Sequence, residues 1–184
     1  MNPYVKSAAV AVSALVIMGL QVMPSAAFAA ERTAAVMNTL PPLQITHKKD
    51  IKVVIQVNYP MVTPKGISAQ VQAAENLYHQ YAALGMKSGK DFEIAMVFRA
   101  AGSQFLLNDE AYNHKVKQAH GKGNPSRAIL DALAKDGVKM YECGVAMKVK
   151  KYTAHDLLPY ARIVVSGMGA LVDLEKSGYL PVTP

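Results

Sequence analysis

Cys143 is the side chain best suited to covalent chemistry, because it is the only cysteine among the 184 residues. A lone thiol excludes an intramolecular disulfide, so Cys143 is a buried packing residue, an intermolecular partner or a reactive group. It directly follows a short run, 138–142, that is typical of a β-strand. A thiol at the point where a strand gives way to a helix meets unpaired backbone N–H groups, which favour the thiolate.

Three lysines follow Cys143 within eight residues, namely Lys148, Lys150 and Lys151. Their positive potential would favour a thiolate and attract anions, so we expect them to take part in substrate binding. The sequence does not decide between a helical and an extended conformation for this segment. Apolar residues alternate with period two from Cys143 to Val149, which is typical of an extended segment, and an extended segment would remove the helix-terminus argument.

The pattern of elements predicts where Cys143 lies. Strands are predicted at 51–57, 92–98, 138–142 and 163–165, with a short edge strand over 179–182. Helices are predicted from 67 to 84, irregularly over 105–117, from 124 to 136 and over 168–176. This alternation predicts an α/β protein, a three-layer α/β/α fold with a mainly parallel sheet of about five strands.

Ligands of open parallel sheets bind beyond the carboxyl ends of the strands. The loops 58–66 and 99–104 are therefore expected on the same edge as Cys143. Their Tyr59 and Arg99 are predicted to line a pocket around the cysteine. Gly167-Met168-Gly169 also follows a strand, but Val172 occupies the position of the third glycine of a dinucleotide motif, so close packing is the favoured interpretation. No cofactor is predicted.

The first 29 residues have the order of a secretory signal. One lysine precedes an apolar run from Ser7 to Met23, and Ala27-Phe28-Ala29 offers a cleavage site after Ala29. We therefore predict a signal peptide over 1–29, a linker or extended arm over 30–49 and one α/β domain over 50–184. The protein would be periplasmic or secreted, without a membrane segment after cleavage; an uncleaved N-terminal anchor is the alternative.

The charge distribution and the spacing of metal-binding residue types indicate whether nucleic acid or metal ions are ligands of this protein. The net charge is +7, but the lysines are scattered and form no long run, so a solvated surface is favoured over nucleic-acid binding. Thiolate and thioether ligands suit Cu(I), and Cys143, Met147 and His155 are conceivable ligands for a periplasmic copper-binding protein. No His-x₃-His pair is present, so no metal site is predicted.

Several segments of the C-terminal third resemble the DsrE/DsrF-like family, and most closely its exported members. The similar segments are 141–147 (Tyr-Glu-Cys-Gly-Val-Ala-Met), 153–159 (Thr-Ala-His-Asp-Leu-Leu-Pro), 163–167 (Ile-Val-Val-Ser-Gly) and 174–180, which contains Gly-Tyr. The likeness extends over about residues 50–182, although the turn Arg99-Ala100-Ala101-Gly102 is less glycine-rich than in the family.

The resemblance implies a compact α/β/α domain that assembles into trimers, hexamers or larger rings. It also implies that a cysteine after the third strand carries persulfide sulfur between proteins, and Cys143 occupies that position. We therefore expect an exported protein that binds or relays reduced sulfur, from a donor protein or from a small sulfur anion such as thiosulfate or polysulfide. Whether it is an enzyme is left open. The alternative is a noncatalytic binding or assembly module with an inert Cys143.

Overall fold

The computed structural model describes residues 45–117, 119 and 121–184. The predicted signal peptide and most of the predicted arm lie outside these residues, so both stay predictions. Residues Ile45–Pro184 cluster as one unit. In this part of the chain, no helix combines the length and the apolar character needed to cross a bilayer.

Strands and helices alternate along the described chain. In order, the elements are β1 Ile51–Val57, α1 Ala69–Ala83, β2 Phe92–Phe98, the 3-10 helix η1 Ala100–Leu106, α2 Asp109–Lys115, α3 Arg127–Lys135, β3 Lys139–Cys143, α4 Gly144–Lys150, the 3-10 helix η2 Ala154–Asp156, β4 Arg162–Val164, α5 Gly167–Lys176 and β5 Leu180–Val182.

The five strands form a parallel sheet in the order β4-β3-β2-β1-β5. This confirms the predicted α/β fold with its mainly parallel five-stranded sheet, and β5 is an edge strand as expected. The register aligns Val57 with Phe98, and Cys143 with Val164, so β1 to β4 end at one edge of the sheet. That edge is where the sequence analysis places the functional loops.

The two faces of the sheet are covered unequally. One face carries the larger core, in which α1, α2, α3 and η1 pack on strand residues such as Ile55, Met96 and Phe98. The other face is covered by α5, whose Leu171 packs on a smaller cluster that includes Val97. Because side chains alternate along a strand, neighbouring residues of β3 enter different layers.

The stretch 105–117 differs from the single irregular helix that was expected. It is split between the end of η1 and the separate helix α2. The break falls at Asn108, whose backbone is extended and whose Oδ1 accepts a hydrogen bond from the backbone N–H of Ala111 at 2.9 Å. Asparagine is a strong helix N-cap, so it begins a new helix at this point.

Glycine allows η1 to sit close to the sheet. A Cβ atom on Gly102 would lie 2.1 Å from the carbonyl oxygen of Val57, a distance that no side chain tolerates. The backbone N–H of Arg99 donates to the same carbonyl at 3.0 Å. The turn after β2 is thereby held against the end of β1, and Arg99 is fixed at the carboxyl edge of the sheet.

Candidate functional site

Cys143 is both the last residue of β3 and the N-cap residue of α4. The segment that follows it is therefore helical, and the extended alternative is wrong. Gly144 permits the close approach of this junction to β4, because a Cβ atom there would lie 2.9 Å from the carbonyl oxygen of Val164. The cysteine therefore lies at a strand-to-helix junction that packs tightly against the adjacent strand.

The sulfur of Cys143 faces a second helix rather than capping its own. The side chain makes no capping hydrogen bond to α4. Instead, the backbone N–H of Gly167, the first residue of α5, donates to Sγ at 3.1 Å. The N-terminal N–H groups of a helix have no partner within the helix and carry partial positive charge. An anionic sulfur is stabilised by such a donor, as a thiolate or as a persulfide.

Cys143 is buried, with only 6% of its surface exposed. The burial arises because β3 carries the cysteine beneath the first turn of α5. Its neighbour across the strand pairing is Val164. Any reagent must reach the sulfur through the pocket beside it.

A pocket of about 280 Å³ lies against Cys143 at the carboxyl edge of the sheet. Most of its lining is apolar, and two cationic side chains, Arg99 and Lys150, join it. The remaining lining residues are Ala100, Val145, Ala146, Val149, Ser166 and Met168. Among the described residues, neither Arg99 nor Lys150 forms an ion pair with a carboxylate. Both charges are therefore available to an anion.

Larger cavities are present among the described residues, and two of them do not contain the cysteine. One of about 430 Å³ borders the loop after β1, and one of about 650 Å³ lies between β4 and α5. Volume alone does not identify the site. The smaller pocket is the candidate because it combines the only thiol of the chain with a backbone donor and two cations.

The structure brings some of the predicted binding residues to Cys143 and leaves others elsewhere. Arg99 and Lys150 line its pocket, whereas Lys148, Lys151 and Tyr59 do not. Lys148 and Lys151 are exposed at the surface. Tyr59 is 51% exposed, and its backbone N–H is bound by the side chain of Gln70 at 3.0 Å. Proximity in sequence did not translate into proximity in space, because α4 directs successive lysines to different sides.

Gly167 is a site residue whose role the sequence only hinted at through the Gly-Met-Gly pattern. A Cβ atom at Gly167 would lie 3.0 Å from Cβ and 3.3 Å from Sγ of Cys143, and 3.2 Å from Cβ of Arg99. Close packing was the favoured interpretation of this pattern, and the partner in that packing is the cysteine itself. The missing side chain leaves room for α5 to place its first N–H on the sulfur.

Glu142 was not singled out by the sequence analysis. It precedes Cys143 and points into the opposite layer, where it is fully buried, and neither carboxyl oxygen has a hydrogen-bond partner among the described residues. Burial raises the pKa of Glu142 to about 8; the Ser103 hydroxyl, the backbone N–H of Cys143 and the ammonium of Lys150 oppose this rise only in part. Glu142 is therefore mainly protonated at neutral pH.

The conceivable copper ligands do not gather around the sulfur. Met147 packs in the larger core, on the other face of the sheet from Cys143, and His155 is exposed on η2. Within residues 45–117, 119 and 121–184, no three histidine, cysteine or acidic side chains are grouped as a metal site would require. The geometry gives the copper alternative no ligand set in this range.

Fold and site together define a small parallel α/β/α protein with one thiol at the carboxyl edge of its sheet, held between two helix N-termini. The sequence profile of the DsrE/DsrF-like family matches residues 21–184, and the chain belongs to this family. The resemblance noted from the C-terminal segments is thereby confirmed.

Solved structures share the fold at low sequence identity. One is a protein of unknown function, MTH1491, from Methanobacterium thermoautotrophicum, with 18% identity and a TM-score of 0.54; the alignment covers 73% of this chain and 100% of that one. Another is YchN from E. coli, with 16% identity and a TM-score of 0.50, covering 73% of this chain and 99% of that one. No curated protein matches the sequence. At such identities the structures establish the architecture only.

Proposed function

We propose that this DsrE-like protein accepts sulfane sulfur on Cys143 and holds it as a persulfide for transfer. The observation that carries the proposal is the hydrogen bond from the N–H of Gly167 to Sγ, in a pocket joined by two cations without ion-pair partners. This arrangement supports an anionic sulfur at a position that small molecules reach from one side. It does what a sulfur carrier requires: it stabilises both the attacking thiolate and the persulfide anion that results.

The transfer step needs no external oxidant or reductant. The Cys143 thiolate attacks the sulfane sulfur of a donor, a new S–S bond forms at Sγ, and the S–S bond of the donor breaks. The leaving group departs with the bonding electron pair, as sulfite from thiosulfate or as a polysulfide shortened by one sulfur. Attack by an acceptor thiolate on the terminal sulfur reverses the process and restores Cys143.

The lining of the pocket fits small sulfur anions. Sulfane sulfur is polarizable and weakly hydrated, so apolar walls such as Val145 and Met168 suit it, while Arg99 and Lys150 compensate the negative charge. The same surface also suits the end of a cysteine persulfide presented by a donor protein. The substrate class is therefore an anionic sulfane-sulfur compound.

Incubation of the native protein with polysulfide tests the proposal. We expect the intact mass to rise by about 32 Da for each sulfur atom added and to return to its original value with a reductant, because a persulfide is an exchangeable S–S bond. Cys143→Ser should show no adduct under the same conditions. An adduct of equal size on that variant would mean that the added sulfur is not on Cys143.

Two lysines of α4 form a matched pair for testing the role of charge. Lys150→Gln removes a cation that lines the pocket, and we expect persulfide formation with thiosulfate to slow about threefold to tenfold at low salt, with a smaller effect at high salt. Lys148→Gln removes the same charge from an exposed position outside the pocket, and its rate should stay near that of the wild type. Intact-mass spectra of samples quenched at successive times give both rates. Equal slowing by the two substitutions would refute a local role for Lys150.

The burial of Cys143 favours a second candidate function. A cysteine with 6% exposure resembles a small packing residue, and the protein would then be a noncatalytic binding or assembly module. The two functions differ in how the fold affects the thiol. A packing residue is protected by the native structure, whereas a sulfur carrier is activated by it.

Export and assembly complete the proposal. We propose that cleavage near Ala29 releases the protein into the periplasm or the medium, on the strength of the signal-like order of residues 1–29. We also propose a homotrimer or hexamer, which rests on family membership. An intact mass that retains Met1 on recovered protein would contradict cleavage, and light scattering of a monomer at micromolar concentration would contradict assembly.

A further inference from the structure

Glu142 is a buried acid without a well-formed hydrogen bond, although the Ser103 hydroxyl and the backbone N–H of Cys143 lie near its carboxyl. Its side chain is fully buried, and neither carboxyl oxygen makes a hydrogen bond to a described residue. The hydroxyl of Ser103 on η1 is also buried, and it lies near the Glu142 carboxyl without a well-formed hydrogen bond. Buried polar groups are nearly always satisfied, and a glutamate could be replaced there by an apolar residue of similar size at a gain in stability. Its presence beside Cys143 therefore calls for a functional explanation.

The surroundings of Glu142 contain little that would compensate a negative charge. Across the strand pairings its neighbours are apolar, Phe98 on β2 and Ile163 on β4. From η1 it meets Ser103, and that helix contributes no titratable side chain. The ionisable groups near it are Lys150 on α4 and Tyr152 after α4. One half-buried lysine that also lines the cysteine pocket is the only cation among them.

We propose that Glu142 is a positioning residue for the charge of Cys143: an uncharged Glu142 leaves the sulfur as the only negative charge at this strand end, and an ionised Glu142 disfavours the anionic sulfur. The inference rests on the proposed function, in which Cys143 works as a thiolate and a persulfide anion.

The coupling follows from adjacency and from a shared cation. Glu142 and Cys143 are consecutive residues, so their side chains leave adjacent backbone positions toward opposite faces of the sheet. The backbone N–H of Cys143 is close enough to the Glu142 carboxyl to stabilise its ionised form. Two negative charges on adjacent buried residues repel each other, because little water screens them. They also share one nearby cation, Lys150, so the two sites titrate as a coupled pair.

Thiolate absorbance as a function of pH tests the coupling without any sulfur donor. Spectra of Cys143→Ser are subtracted to remove the tyrosine signal. For the wild type we expect thiolate formation to be broader than a single-proton curve, because the ionisation of Glu142 disfavours the charge on sulfur. For Glu142→Gln we expect a single-proton curve whose midpoint lies about one pH unit lower. A Glu142→Gln curve that overlays the wild type would overturn the inference.

A matched control and a second measurement keep the test independent of one variant. Glu93→Gln changes the same residue type on the adjacent strand, where the carboxylate is bound by Lys139 at 2.6 Å, and its thiolate curve should match the wild type. In wild-type protein with ¹³C-labelled glutamate, we expect one side-chain carboxyl resonance of a neutral acid at pH 7, absent from Glu142→Gln. If every glutamate carboxyl is ionised at that pH, the inference fails whatever the stability of the variant.

The two proposals fail in different ways. If thiolate formation is coupled to Glu142 but polysulfide gives no adduct on the native protein, the proposed sulfur chemistry is wrong. If adducts form normally while the curves of Glu142→Gln and wild type coincide, sulfur binding stands and the role of Glu142 is wrong.

Discussion

Replacing Glu142 by glutamine is expected to stabilise the protein at alkaline pH while leaving it nearly unchanged at about pH 5. Burial raises the pKa of Glu142 to about 8 from an ordinary value of 4.5, so the folded state holds a proton that the unfolded state releases in this range. The wild type therefore loses stability as the pH rises through the window from 4.5 to about 8. Glutamine cannot ionise, so the variant does not share this loss.

The expected size of the effect is large for one atom exchanged. Each pH unit within the window lowers the free energy of unfolding of the wild type, relative to Glu142→Gln, by up to about 1.4 kcal/mol, which sums to a few kcal/mol. Urea unfolding at several pH values measures the difference between the two proteins. A difference that does not change with pH would mean that Glu142 ionises normally in the fold.

Glu93→Gln provides a control of opposite sign. Hydrogen bonds from Lys139 and Tyr179 lower the pKa of Glu93, so this carboxylate adds stability above the ordinary carboxyl range and loses it as the pH falls. The variant should therefore be less stable than the wild type at neutral pH, and the deficit should shrink in acid. The contrast between two glutamates of adjacent strands separates a specific effect of Glu142 from a general effect of removing charge.

Gly167→Ala is expected to slow persulfide formation on Cys143 about tenfold or more, because small displacements of a reacting atom have large kinetic effects. The added methyl group would lie 3.0 Å from Cβ of Cys143 and 3.2 Å from Cβ of Arg99, so the sulfur, its N–H donor or the arginine must move. The rate is followed by intact mass during incubation with polysulfide.

Gly169→Ala is the matched control, two residues along the same helix. A Cβ atom there meets nothing closer than Cβ of Ser166 at 3.8 Å. Alanine is the better helix former, so this variant should gain up to about 1 kcal/mol of stability and react at the wild-type rate. If both variants slow the reaction equally, the packing of Gly167 on the cysteine is not what sets the rate.

Much of the fold was predictable because its elements have strong local signals. The β-branched run of β1 and the apolar run of β2 are buried central strands, and such runs between helices predict a parallel sheet. The break at Asn108 was harder, since apolar residues continue on both sides and only the N-cap side chain marks the boundary. The unequal cover of the two faces is a property of topology that no single segment encodes.

The site was predictable only in part. Cys143 and Arg99 could be placed because both lie where a strand ends, and the parallel sheet brings such positions to one edge. Burial of the cysteine depends on α5, which lies more than twenty residues further along the chain. Lys150 lines the pocket and the neighbouring lysines do not, because the orientation of α4 about its axis decides which lysine faces Cys143. The period-two pattern of the sequence does not predict that orientation. Glu142 looked like an ordinary strand residue in the sequence. Its burial depends on η1, which packs on the face of the sheet opposite to Cys143.

The rate of persulfide formation on Cys143 in native protein, compared with the same protein unfolded in urea at the same neutral pH, tests the central claim most directly. If the fold activates the thiol through the N–H of Gly167 and the two cations of the pocket, the native protein should react at least as fast as the unfolded chain, despite the burial of its sulfur. If the unfolded chain reacts readily while the native protein gains no sulfur, Cys143 is a packing residue and the protein is not a sulfur carrier.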